Sequence, residues 1–116
     1  MIFATMLLLV AAPATSAYET CLNTGEAGNG IQSAMTRCAD DEYRRQDARL
    51  NRVYKAKMAS LPPKRQAALR AVQRQWIVDR DRRCPVKTGY SMGPMETLDC
   101  RARLTEQRSA WLERYR

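Results

Sequence analysis

The four cysteines, Cys21, Cys38, Cys84 and Cys100, are the side chains with the widest chemical reach in this 116-residue sequence, which contains no histidine. Thiols can ligate zinc, attack electrophiles or pair as disulfides. The lack of histidine removes Ser-His-Asp and Cys-His catalysis and the two-histidine metal helix. No C-x-x-C pair occurs to supply a redox or zinc motif. Three charged residues, Asp47, Arg80 and Arg108, fall where helical spacing otherwise places apolar side chains. Guanidiniums keep their protons near neutral pH and make poor general acids or bases. The run Asp40, Asp41 and Glu42 lies near the start of a helix, where negative charge complements the helix dipole. The residue types therefore point to a chain that is no enzyme, with no catalytic residue, no metal and no cofactor.

The cysteines gain a role from what precedes them. Residues 1 to 17 carry no charged side chain. The apolar run Met6 to Ala12 is followed by Pro13 and then by small residues ending at Ala17, the pattern of a secretory signal peptide cut after that alanine. The run falls short of the ~20 residues a membrane span needs, so no stable span is expected. Residues 18 to 116 then form one small domain, periplasmic or secreted, in which an even number of cysteines reads as two disulfides. All of the formal net charge of +8 lies in that domain, and sixteen of its twenty cations are arginine. Such a surface favours acidic partners. Export leaves anionic envelope polymers or lipid as candidates and argues against nucleic acid.

Three long helices must position these residues. Residues 18 to 30, with Gly25, Gly28 and Gly30, show no periodicity and read as a loop holding Cys21. Ile31, Met35, Ala39, Tyr43, Asp47, Leu50, Tyr54, Met58 and Leu61 recur at steps of three and four, predicting a helix from about 31 to about 60. Pro62 and Pro63 stop it and start the next, because proline suits the first helical position. The second helix carries Leu69, Val72, Trp76, Arg80 and Cys84 on one face and ends before Pro85. A loop follows over 85 to 94. The third helix runs from about 95 to 114 through Cys100, Leu104, Arg108, Trp111 and Tyr115. No period-two pattern exists, so the fold class is all-α: a small disulfide-bonded bundle of three helices with a long antiparallel hairpin of the first two.

In that arrangement all four cysteines converge on one end, and geometry at this level admits all three pairings. Sequence proximity favours Cys21 with Cys38 and Cys84 with Cys100. Buried charges need partners, and counting helical rise from the cysteine end puts Asp47, Arg108 and Trp76 at one height. An Asp47 to Arg108 ion pair beside Trp76 is expected, with Arg80 lower, near Tyr43 and Thr105. Asp81 completes this structural polar core.

The same residues resemble the LprI-type, lysozyme-inhibitor-like family of small exported bacterial proteins over about residues 35 to 115. The resemblance is carried by Cys38, by Asp47, Leu50, Asn51 and Tyr54, by Gln73, Trp76, Arg80, Asp81 and Cys84, by the Gly89 to Met95 loop, and by Cys100, Thr105, Arg108 and Leu112. It implies a non-enzymatic binding protein whose partner is lysozyme or another envelope protein. An inhibitor needs an exposed group to plug a carbohydrate cleft, and the loop over 85 to 95 offers Lys87, Tyr90, Ser91 and Met92. The alternatives are a basic module for anionic cell-wall or lipid material, using Arg45, Arg49 and Arg52 with Arg70 and Arg74, and an accessory periplasmic protein-interaction domain.

Overall fold

The computed structural model describes residues 16 to 116, and most of the expected leader, residues 1 to 15, lies outside them. Five helices follow in order: α1 (Ala17–Leu22), α2 (Gly25–Gly28), α3 (Gln32–Ala59), α4 (Pro63–Arg83) and α5 (Gly93–Arg114). Among the described residues there is no strand, and no helix is long and apolar enough to cross a membrane.

Proline sets the long-helix boundaries. Pro62 caps α4 in an extended conformation, as a residue before proline must, and Pro63 takes the first helical position. Gln66 in the first turn of α4 donates to the Met58 carbonyl at 2.8 Å, which ties the start of α4 to the end of α3. Cys84 leaves helical geometry immediately before Pro85. The segment expected to be a loop over 18 to 30 is instead two short helices. Ser16 caps α1 by accepting from the Glu19 N–H at 3.1 Å, and Gly25 and Gly30 supply positive φ at the bends. These helices are too short for a periodic signal, and packing of Tyr18, Cys21 and Leu22 against Ala27, Ala34 and Cys38 sustains them.

The packing of the long helices differs from a hairpin of the first two. The helices in closest backbone contact are α3 and α5. They run parallel, with Arg49 bonded to Glu113 and Lys57 to the Tyr115 carbonyl. The reason lies in residue size. The buried seam of α5 is Thr97, Ala102, Thr105, Ser109 and Leu112, small residues except for the last, so its backbone can come close to that of α3. α4 turns back past α3 after the proline turn but meets its neighbours through large side chains, chiefly Leu69, Gln73, Trp76 and Arg80.

Two apolar clusters result. One joins α1 and α2 to the start of α3 around Ala27, Ala34 and Cys38. The other gathers Leu50, Leu69 and Leu112 with Val53, Tyr54, Met58, Leu61, Trp76, Trp111 and Tyr115 around them. Between them lies a buried polar layer of Gln73, Arg80, Thr105 and Ser109. Two disulfides, Cys21–Cys38 and Cys84–Cys100, each with 5.7 Å between Cα atoms, hold the end where α1, α4 and α5 meet the first turns of α3. The pairing is the one that sequence proximity favours.

Leu69 is fully buried, so Leu69→Ala is expected to cost about 2–5 kcal/mol in urea unfolding. Replacing Cys84 and Cys100 together with serine should cost about 3 kcal/mol in the same measurement, the chain entropy of the closed loop.

Candidate functional site

Arg80 is the most deeply set charge, 7% exposed. Its Nε donates to Asp81 Oδ1 at 3.0 Å and its Nη1 to Thr105 Oγ1 at 3.4 Å. The guanidinium carbon sits 5.4 Å from the Tyr43 ring centre and 5.3 Å from that of Trp76. Arg80 thus has a carboxylate, a hydroxyl and two π-faces, which together replace water around a buried cation. Asp81 reaches the surface and also faces Arg101 Nε at 3.5 Å.

The expected Asp47 to Arg108 pair does not form. Arg108 Nε donates to Gln73 Oε1 at 2.9 Å, and its guanidinium stacks on Trp111 at 3.8 Å and nears Trp76 at 5.5 Å. With no carboxylate beside it, burial pushes the Arg108 pKa down. Counting rise along a helix gives height but not azimuth. Asp47 instead lines a cleft between α3 and α4, where it makes no side-chain hydrogen bond or ion pair with another described residue.

That cleft, about 380 Å³, is lined by Asp47, Leu50, Asn51 and Tyr54 from α3 and by Arg70, Gln73, Arg74, Ile77 and Arg80 from α4. It opens because α4 is held off α3 by long side chains. Of the arginines expected to form a basic stripe on α3, Arg45 is paired with Glu42 at 2.8 Å and Arg49 with Glu113 at 3.0 Å.

The loop after α4 is the second exposed feature. Lys87 Nζ donates to Glu96 Oε2 at 2.8 Å, and the Tyr90 hydroxyl donates to Glu96 Oε1 at 3.0 Å. Thr97 Oγ1 donates to the Pro85 carbonyl at 3.0 Å. Gly89 takes a positive φ of 72°. A side chain at Gly93 would bring its Cβ within 2.5 Å of the Lys87 carbonyl oxygen, so only glycine lets the loop fold over the start of α5. Val86 and Tyr90 remain exposed, at 70% and 52%. Ser91 is exposed and Met92 half-buried. Glu96, which closes this arrangement, was not among the residues expected to matter. In sequence it reads only as an acid in a first helical turn.

The bonds from Lys87 and then Tyr90 hold the Glu96 carboxyl below its usual range. The same contact raises Lys87 and Tyr90. Among the described residues no group of three potential ligands could hold a metal ion.

Comparison with known proteins places these features in context. A family model described as "Lysozyme inhibitor LprI" matches residues 21–112. An uncharacterized protein of Rhizobium meliloti is 33% identical, the match covering 71% of each chain. No solved structure matches.

Because Asp47 lacks a partner, Asp47→Asn should change unfolding free energy by no more than about 0.5 kcal/mol. Thr105→Val, which strips a buried acceptor from Arg80, should cost about 1–3 kcal/mol in the same denaturation experiment. The Glu96 contact is intact above the ordinary glutamate range and is lost as pH falls through the lowered value. Amide shifts of residues 87 to 96 should accordingly change at a pH below that of an isolated glutamate, and Glu96→Gln should abolish this transition.

Proposed function

Since the chain belongs to the LprI lysozyme-inhibitor family, we propose that it is an exported, non-enzymatic binding protein that blocks lysozyme by presenting the loop over 85 to 95 to the enzyme's cleft. One observation carries this reading: Lys87 and Tyr90 are both bonded to Glu96 on a loop closed by the Cys84–Cys100 disulfide. A loop ordered before contact loses little conformational freedom on binding. It displays Val86 and the Tyr90 ring to solvent, and an aromatic face suits a groove built to hold sugar rings. The Lys87 ammonium can turn from Glu96 toward the paired carboxylates that glycoside hydrolysis uses. Ser91 and Met92 extend the contact surface at the loop's far side.

Charge shapes the kinetics of this reading. A domain at +8 is repelled at long range by a basic lysozyme, so recognition rests on local complementarity, and raising the salt should speed association. Binding to anionic envelope polymers would weaken with salt instead.

The test is turbidity clearance of bacterial walls by lysozyme with the purified, oxidised domain in excess. Inhibition is expected, and Tyr90→Ala should weaken it by at least about tenfold, the effect of losing a central aromatic anchor, with an unchanged melting temperature. Undiminished lysis in the presence of the wild-type domain would overturn the proposal.

A further inference from the structure

The cleft between α3 and α4 holds charges of both signs that do not meet. Elsewhere on the surface, acids and bases within reach join: Arg44 with Asp40, Arg45 with Glu42, Arg103 with Asp99. Asp47, Arg70 and Arg74 line the same cleft, yet none of them forms an ion pair with a described residue. Arg70 and Arg74 are one helical turn apart on a single face of α4. Arg80 closes the cleft but already has Asp81. The uncompensated charges facing this space are therefore two guanidiniums on the α4 wall and one carboxylate on the α3 wall. Leu50 and Ile77 give it an apolar lining, and its volume of about 380 Å³ lies in the range of small-molecule sites.

Two residues of the α3 wall also lack a structural partner. Asn51 is exposed, and neither Asn51 nor Asp47 makes a side-chain hydrogen bond to a described residue. Residues with no packing role that line a cleft are candidates for contact with a ligand. We propose that the α3–α4 cleft binds a short peptide bearing two carboxylates and one amine. Arg70 and Arg74 hold the carboxylates, for which the planar guanidinium is suited to two parallel hydrogen bonds. Asp47 takes the ammonium, Asn51 can bond a peptide group, and an aliphatic side chain rests on Leu50 and Ile77. The site is independent of the loop over 85 to 95.

The proposal is tested by calorimetric titration of the oxidised protein with a tripeptide that has a free amino terminus, a leucyl centre and a C-terminal glutamate. Saturable binding is expected. Arg70→Gln combined with Arg74→Gln should weaken it by at least about tenfold. N-acetylation of the peptide should weaken binding to the wild type, and Asp47→Asn should weaken binding of the free peptide while leaving the acetylated one unaffected. Arg70 and Arg74 are exposed and Asp47 is unpaired, so these variants should keep the wild-type melting curve. Tyr90→Ala should keep full peptide binding, which separates this site from lysozyme inhibition. Absence of saturable binding at millimolar peptide, or binding indifferent to the arginine pair, would overturn the proposal. Equal affinity for free and acetylated peptide would overturn the role of Asp47. Retention of the protein on insoluble wall material, released by the tripeptide, would support a wall-attached peptide as the source; tripeptide binding without such retention would support a soluble one.

Discussion

The buried guanidinium of Arg80 is where the three long helices meet. It belongs to α4, lies against Tyr43 of α3, and donates to Thr105 of α5, with Trp76 and Asp81 of its own helix completing its surroundings. A cation in that position has little water, so the neighbours that replace water must stay in place. This requirement sets the distance between α4 and the other two helices. Thr105, with no exposed surface, is there as an acceptor rather than as an apolar filler. The charge that balances Arg80 comes from Asp81 at the rim, so the carboxylate keeps part of its own hydration.

From that separation follow the two exposed features. Small residues let α3 and α5 approach closely, while Trp76, Gln73 and Arg80 hold α4 away, and the space left along α3 becomes the cleft lined by Asp47, Arg70 and Arg74. At the other end of α4, Pro85 stops the helix and the Cys84–Cys100 bridge returns the chain to α5 within sixteen residues. The loop so enclosed is short enough for Glu96 to reach both Lys87 and Tyr90. A core this small divides into two apolar clusters joined by a polar layer, and the disulfides add covalent closure at the end where apolar burial is least.

Much of this was legible in the residues. The boundaries of α3, α4 and α5 follow from Pro62, Pro63, Pro85 and periodicity, and agree with expectation to within about two residues. The neighbours expected for Arg80, namely Tyr43 and Thr105, are those it has. The Asp47 to Arg108 pair failed because two residues at the same height on different helices need not face each other. Gln73, a neutral side chain on α4, takes the place of the missing carboxylate. Glu96 gives no signal in the sequence for a related reason: its partners come from a loop, where no period predicts direction. Helices α1 and α2 leave no periodic signal because six and four residues cannot display a period of 3.6.

The sequence by itself determined the helical class, the places where each long helix stops, the cysteine pairs near enough to join, and which charges lie on otherwise apolar faces. These depend on covalent geometry and on periodicity along one chain, both of which act locally. Only the tertiary structure decided that α3 pairs closely with α5 rather than with its neighbour α4, that Asp47 faces a cleft, and that Glu96 gathers Lys87 and Tyr90. Those outcomes depend on the rotation of each helix about its own axis. That rotation is set by how small residues on α5 and large ones on α4 share the limited volume around α3, which no single helix specifies alone.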